Sequence, residues 1–146
     1  MLEIPFILLS ERAQMPTYAT DGAAGFDLYA ALEAPRLLPP GGRALVPLDV
    51  AAAVPQGHVL LIFSRSGHGL NLGLRLSNCV GVVDPDYRGG LAVAITNDSS
   101  SDRFITPGER IAQGVLIYSE RPRLSRVAEL PATARGTGGF GSTGRY

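Results

Sequence analysis

Asp84 lies in the stretch of this chain whose residue types are best suited to chemistry. Residues 78–95 read NCVGVVDPDYRGGLAVAI, in which two apolar runs flank two carboxylates, a tyrosine and an arginine. β-Branched runs on either side of Asp, Pro and Gly residues predict a β-hairpin with a longer loop, and Asp84 stands where the first strand ends. An isolated Asp-Pro pair would indicate only a turn, but a turn requires neither the aromatic ring nor the guanidinium. The loop is therefore a candidate functional segment.

The C-terminal stretch RGTGGFGSTGRY, which starts at Arg135, is a second candidate. Its Gly136, Gly138 and Gly141 fit G-x-G-x-x-G, but that fingerprint must lie between a strand and a helix, and only five residues follow here. A generic glycine-rich terminus is usually a poorly ordered, flexible tail. In this one, backbone N–H groups freed by glycine can wrap an anion, Arg135 adds a guanidinium fork, and Phe140 offers a face for stacking a base.

Composition restricts the class of protein. The 146 residues are 45% hydrophobic and 18% charged, which predicts one folded domain. The formal net charge is zero, so the chain lacks the electrostatic footprint of a nucleic-acid binder. The single cysteine, Cys79, excludes an internal disulfide, and we expect it to be a small buried residue in a protein from a reducing compartment. Two histidines, His58 and His68, cannot by themselves build a zinc site.

The elements that must position these residues are predicted to be short strands separated by Pro- and Gly-containing turns. The predicted strands cover residues 4–9, 26–30, 43–50, 59–64, 80–83, 91–95 and 111–118. The one candidate helix is a turn or two near residues 66–72. This pattern predicts an all-β sandwich or barrel, with a jelly roll as its topology. The first apolar run is too short for a membrane span and lacks a basic leader, so we expect a cytoplasmic protein at no membrane.

Five stretches of the chain together resemble the signature motifs of one enzyme family. Residues 78–95 closely resemble the third motif of the trimeric dUTPases, which hydrolyse dUTP to dUMP and pyrophosphate. The other four motifs appear in the expected order and extend the resemblance over residues 19–144. They are ATDGAAGFDLYAA (19–31), SRSGHGL (64–70), PGERIAQG (107–114) and the glycine-rich tail.

The resemblance implies an architecture and an assembly. The fold would be a distorted jelly-roll β-barrel over residues 1–134, and residues 135–146 would form a flexible arm that closes over the active site. The active unit would be a homotrimer. Each site would take the uracil-binding hairpin from one subunit, the phosphate-binding motifs from a second and the arm from a third.

The third motif implies how the substrate is selected. Backbone groups between Asn78 and Asp84, including Val82 and Val83, would pair with the uracil edge together with Ala92 on the return strand. Cytosine would place a donor against a donor there, and unpaired buried polar groups are costly.

The same motif implies how dUTP is cleaved. Tyr87 would pack under the deoxyribose and leave no room for a 2′-hydroxyl. Asp84 would hold the 3′-hydroxyl and, as general base, activate a water at the α-phosphorus.

The remaining motifs imply the phosphate and metal contacts. Arg65, Ser66 and the Gly67 amide would face phosphate oxygens, and Gln113 would donate to the α-phosphate. Asp27 would hold Mg²⁺ through water, as hard cations on triphosphates usually keep several waters. The contacts assigned to the arm belong to Arg135, Phe140, Gly141 and Ser142.

Two other functions stay open at this point. A dCTP deaminase, or a bifunctional deaminase–diphosphatase, has a similar fold but needs a further acidic residue at the base. The 78–95 segment offers none beyond Asp84 and Asp86. A non-catalytic nucleotide- or protein-binding module on the same scaffold would be marked by loss of Asp84 or of the tail, and both are present.

Overall fold

The computed structural model describes residues 2–140 and 142 of the chain. In this part the regular elements are twelve strands and one short π-helical turn, His68–Leu72. The strands are β1 (Phe6–Leu8), β2 (Thr17–Tyr18), β3 (Phe26–Tyr29), β4 (Arg36–Leu38), β5 (Arg43–Pro47), β6 (Val50–Ala52), β7 (His58–Ser64), β8 (Leu74–Leu76), β9 (Val80–Val83), β10 (Ala92–Asn97), β11 (Arg103–Ile105) and β12 (Arg110–Tyr118). The predicted all-β class with at most one short helix is confirmed.

The strands form antiparallel sheets around one apolar core. The largest sheet has the order β2-β3-β12-β7-β9, a three-stranded sheet has the order β5-β10-β8, and β1-β6 and β4-β11 form separate pairs. Side chains alternate along β5, where Ala44 and Val46 are buried while Arg43 and Leu45 are exposed. This period of two is what a strand with one face on the core requires. The fold is the expected distorted jelly-roll barrel.

The predicted hairpin at residues 80–95 was wrong in its pairing. Within the described chain, β9 pairs with β7 in the large sheet, whereas β10 pairs with β5 and β8 in the other sheet. The intervening loop crosses between sheets. Its last residue, Leu91, exchanges backbone hydrogen bonds with Leu48 and Val50 instead of with β9. Local patterning indicates that each segment is extended, but a loop of this length leaves the choice of partner to the rest of the barrel.

Two further expectations need correction. The predicted strand at residues 43–50 is interrupted after Pro47, because Asp49 takes a positive φ of 50° before β6 begins. Cys79, expected to be buried, is exposed in the turn between β8 and β9 at a φ of 64°.

The chain after β12 has a different character. Residues 119–140 form no helix or strand, and nearly all of them are exposed. The boundary at residue 135 between barrel and arm stays a prediction, although the irregular segment starts earlier. Among the described residues, no helix combines the length and apolar character needed to cross a membrane.

Gly114 leaves the space that the centre of the large sheet needs. It lies in β12 opposite Phe26 in β3 and Ile62 in β7. A Cβ atom at Gly114 would press on the Phe26 ring, 2.7 Å from Cζ, and would lie 3.2 Å from Cδ1 of Leu60. The ring cannot easily move, since it is 4% exposed and makes edge contacts with two other aromatic rings.

We therefore expect Gly114→Ala to lower the free energy of unfolding by about 1–3 kcal/mol through overpacking. Urea unfolding at a fixed protein concentration measures the change. Gly22→Ala is the matched control, because a Cβ there meets nothing within 4 Å, and it should change stability by less than about 0.5 kcal/mol. Equal stability of the two variants would show that the Phe26 ring yields and that Gly114 is not needed for packing.

Candidate active site

A carboxylate held by two arginines lies at one end of the large sheet. Asp27 is 7% exposed. Its Oδ1 forms an ion pair with Nε of Arg65 at 3.0 Å, and its Oδ2 accepts a hydrogen bond from Nη1 of Arg110 at 3.2 Å. Nη1 of Arg65 also donates to the backbone oxygen of Arg110 at 3.0 Å. Two cations around one anion leave a net positive charge, which suits a phosphate-binding site.

The strand register explains why these residues meet. Gln113 of β12 lies opposite both Asp27 in β3 and Phe63 in β7, so the three strands share this end of the sheet. The Gln113 side chain donates from Nε2 to the Ser64 oxygen at 2.9 Å, two residues along the chain from Ser66. The structure therefore brings together the residues predicted from the first, second and fourth motifs.

Sequence reasoning missed two partners in this region. Arg110 was not singled out, although it is the second cation on Asp27. His68 was considered only as a possible zinc ligand, yet it is buried and bonded to Glu109. The available signal was that Glu109 and Arg110 both lie within the PGERIAQG stretch. Their contacts depend on pairing between distant strands, which spacing alone does not show.

A cleft of about 270 Å³ forms around the 78–92 segment, between β9 and the start of β10. All six residues predicted there line it: Asn78, Val82, Val83, Asp84, Tyr87 and Ala92. The remaining lining comes from Ile62, Gly81, Gly90 and Leu91. These residues stay together although β9 and β10 lie in different sheets, because the loop bends back between the two sheets.

The loop of this cleft is held by its own polar groups. The backbone N–H of Tyr87 donates to the Asp84 oxygen at 3.2 Å, and the Tyr87 hydroxyl donates to the Gly90 oxygen at 3.2 Å. Asn78 donates from Nδ2 to the Val80 oxygen at 3.0 Å. The Asp84 carboxylate is exposed, and within the described residues it has no side-chain hydrogen bond. It is therefore available to accept hydrogen bonds from a ligand or a water.

Asp84 and the arginine cluster lie at opposite ends of β7, although the cleft itself extends back along β9 to Asn78. Val83 is opposite Leu60, which sets Asp84 level with Val59, while Arg65 follows the far end of the same strand. Six residues of extended chain span about 20 Å. An arginine side chain cannot cross that distance, so Asp84 and Arg65 of one chain cannot meet at the same point.

The arm leaves the barrel at the Asp84 end. Ser119 donates a backbone hydrogen bond to Gly57, and the described residues beyond it form no hydrogen bond with the barrel. Arg135 instead donates from Nε to the Gly138 oxygen at 2.8 Å, and the Phe140 ring is fully exposed. The backbone N–H of Ser142 donates to the Gly139 oxygen at 3.0 Å. Gly141, also predicted to bind substrate, lies outside the described residues.

Asp27 suits a water-mediated contact to Mg²⁺ better than a direct one. Both of its oxygens already face an arginine, and no group of three or more His, Cys, Asp or Glu side chains suited to a metal occurs in the described part of the chain. A carboxylate nevertheless has about four acceptor positions, which leaves room for a water from an ion held mainly by phosphates.

Comparison with known proteins points to one family. The dUTPase family model matches residues 11–144. The deoxyuridine 5′-triphosphate nucleotidohydrolase of Anaplasma marginale (strain St. Maries) is 45% identical over 130 residues, which cover 89% of this chain and 88% of the relative.

Solved structures show the same similarity. The dUTPase of Staphylococcus bacteriophage 80alpha with dUPNHPP has a TM-score of 0.90 at 30% identity and covers 99% of both chains. A variant dUTPase from phage phi11 of S. aureus, described with a structural Mg(II) ion, has a TM-score of 0.81 at 27% identity, covering 90% of this chain and all of the other.

Proposed function

The chain belongs to the dUTPase family and is a dUTP diphosphatase, and we propose that it uses an Asp84-activated water in a site shared between subunits of a trimer. The observation that carries the proposal is the division of the predicted residues into a nucleoside cleft, an arginine cluster and an arm. Each group has the chemistry for a different part of dUTP. The products would be dUMP and pyrophosphate.

The cleft is proposed to hold uracil and deoxyribose. Its wall is the backbone of β9 together with Ala92, so peptide N–H and C=O groups are available to pair with the O4 and N3–H edge of uracil. Cytosine would place its amino group against a donor, which leaves buried polar groups unpaired. The Tyr87 ring, held through its hydroxyl by Gly90, is placed to exclude a ribose 2′-hydroxyl.

Asp84 is proposed to be the general base. Its unpaired carboxylate can hold the 3′-hydroxyl with one oxygen and orient a water with the other. General-base catalysis supplies roughly 10²–10⁴-fold of the acceleration. The remainder would come from positioning of the triphosphate and from charge stabilisation by Arg65, Arg110 and Arg135. Arg110 is an addition to the set predicted from sequence.

Mg²⁺ is proposed as the cofactor. The phosphates would hold the ion and Asp27 would accept a hydrogen bond from one of its waters. An ion in this position neutralises charge on the pyrophosphate leaving group. The chain's own contribution is to hold the Asp27 carboxylate in a fixed position between two guanidinium groups.

The separation of the parts supports a shared site. Asp84 lies about 20 Å from Arg65 in one chain, so one copy cannot place both on a single nucleotide. A closed threefold ring can bring the cleft of one copy to the arginine cluster of the next. The arm can reach the third copy, because residues 119–135 when extended span about 55 Å. Its exposure and its lack of hydrogen bonds to its own barrel within the described residues agree with this.

The alternative functions are less well supported. A deaminase needs a second acidic residue at the base, and Asp84 is the only carboxylate among the residues that line the cleft. A non-catalytic binding module is less well supported because the matching family model and relatives are those of a nucleotide hydrolase. In the cell, we expect the enzyme to limit uracil incorporation into DNA and to supply dUMP for thymidylate synthesis in the cytoplasm.

Substrate selectivity tests the proposed function directly. With Mg²⁺ present, we expect pyrophosphate release from dUTP to exceed release from dCTP and dTTP by at least about 10²-fold in kcat/KM, because mismatched hydrogen-bonding edges leave buried groups unpaired. A coupled pyrophosphate assay measures all three reactions. Ammonia release from dCTP would instead identify a deaminase, and no reaction with any nucleotide would favour a binding module.

Replacement of the general base should affect turnover more than binding. We expect Asp84→Asn to keep the fold and much of the affinity for dUTP, while kcat falls by at least about 10²-fold. Asp86→Asn is the matched control, since Asp86 lies in the same loop but is absent from the cleft lining. Steady-state kinetics on both variants provides the measurement. An Asp84→Asn enzyme with nearly normal turnover would remove this residue from the mechanism.

Complementation between two inactive variants tests the shared site. The first is Asp84→Asn and the second lacks residues 135–146, which should abolish turnover with little loss of thermal stability. After co-refolding at equal amounts, roughly three-quarters of random trimers are mixed, and each has one site with both an intact Asp84 and an intact arm. We therefore expect about a quarter of wild-type activity.

Native mass spectrometry of the mixture confirms subunit exchange. If exchange is complete and the activity does not exceed the sum of the two variants, each site is built within one chain.

A further inference from the structure

His68 is the one buried histidine in the described chain, and neither the proposed catalysis nor the proposed substrate contacts use it. Its side chain is 10% exposed, and its Nε2 lies 2.7 Å from Oε1 of Glu109. A carboxylate only accepts hydrogen bonds, so Nε2 of His68 carries the proton and donates. The two residues are 41 positions apart in sequence, so their contact joins two distant segments.

Glu109 is itself fixed from several directions. Its second oxygen, Oε2, accepts hydrogen bonds from the backbone N–H of Thr106 at 2.8 Å and from the Thr106 hydroxyl at 3.1 Å. Its backbone oxygen accepts from the N–H of Ala30, which follows β3, at 2.8 Å. The Glu109 carboxylate is therefore an anchor of defined position, and a side chain bonded to it takes a defined position too.

The next residue, Arg110, is connected to Arg65. Its backbone oxygen accepts from Nη1 of Arg65, and its side chain shares Asp27 with Arg65. Arg65 and His68 thus bind to two consecutive residues, Glu109 and Arg110. Between them lies the exposed Ser66-Gly67 pair, which is the segment predicted to face the phosphates.

The segment between these two anchors has little other support. Ser66 and Gly67 are exposed, and a Cβ placed at Gly67 would touch only the Asn71 side chain, at 4.0 Å. A backbone hydrogen bond from Gly69 to Arg65 at 3.1 Å closes the turn, and His68 begins the π-helical turn that follows. A short exposed turn keeps its amides in place only if both ends are fixed.

We propose that His68 is a positioning residue, and that its bond to Glu109 sets the geometry with which the Ser66-Gly67 turn binds the β- and γ-phosphates of dUTP. The proposal rests on the proposed function, because it concerns the same nucleotide. It assigns His68 no contact with substrate. The histidine acts by fixing one end of the turn while Arg65 fixes the other.

An alternative is that the His68–Glu109 bond only stabilises the fold. The two roles differ in which ligand they affect. A loss of folded protein weakens every ligand equally, whereas a displaced phosphate turn weakens a triphosphate and spares a monophosphate. The ratio of the affinities for the imido analogue dUpNHpp and for dUMP separates them.

The test compares His68→Leu with wild type, using the full-length chain with Mg²⁺ and isothermal titration calorimetry. Leucine keeps the apolar volume but cannot donate to Glu109. We expect the dUpNHpp-to-dUMP affinity ratio to fall by about 10-fold or more, since a shift of about 1 Å in a positioned group can cost 10²-fold. The affinity for dUMP should stay within about 3-fold of wild type, because dUMP carries no β- or γ-phosphate for the Ser66-Gly67 turn to bind.

Two further variants serve as controls. His68→Gln offers an amide N–H in place of Nε2–H and should restore the ratio to within about 3-fold of wild type. Ser10→Ala removes the hydrogen bond from Ser10 to Asp49, a similar side-chain contact between segments 39 residues apart, and should leave the ratio unchanged. If His68→Leu does not fold, Glu109→Gln replaces it with the same expectation, because its single amide oxygen cannot accept from both His68 and Thr106.

The outcomes distinguish this inference from the function on which it rests. If wild type hydrolyses dUTP and His68→Leu keeps the wild-type ratio, the positioning role is overturned and the enzymatic function stands. An equal loss of affinity for both ligands also overturns it, in favour of a purely structural role. If wild type binds neither nucleotide, the proposed function fails and the inference fails with it.

Discussion

The buried carboxylate of Asp27 is the contact on which the phosphate end of the molecule depends. A carboxylate at 7% exposure is costly unless it is paired, and here each oxygen faces a guanidinium from a different segment. Asp27 in turn stabilises the two arginines. Without Asp27, Arg65 and Arg110 would face each other as like charges. The same three groups therefore tie β3, β7 and β12 together and concentrate positive charge where a triphosphate would bind.

The register that makes this contact also separates it from Asp84. Pairing of Ser64 with Ala112 brings Arg65 to the Asp27 end of β12, while pairing of Leu60 with Val83 carries Asp84 to the opposite end of β7. A slip by one residue would reverse the buried and exposed faces of a strand, so the barrel cannot adjust the register to bring the two regions together. The proposed sharing of the site between copies would leave every strand in place.

Much of the site could be predicted from the sequence because its parts are local. Asn78, Asp84 and Tyr87 lie within ten residues of one another, so a strand followed by a polar loop is sufficient to group them around one cleft. The partners of β9 and β10 could not be predicted, since extended conformation is a local property and pairing is not. Arg110 and the burial of His68 were missed for the same reason: both follow from contacts between strands far apart in sequence.

The use of arginine suits a cluster in which a cation must both bind Asp27 and remain available to a phosphate. All 13 basic residues are arginine, and in the cluster Arg65 uses Nε for Asp27 and Nη1 for the Arg110 oxygen. Its Nη2 has no partner among the described residues and can face a phosphate. A lysine at this position would present one ammonium group at the end of a flexible stem, and orienting it toward Asp27 would turn it away from the ligand. A planar fork with five donors can be anchored along one edge and bind along another. The guanidinium is therefore fixed before substrate arrives, and the charge stabilisation proposed for it would need little reorganisation.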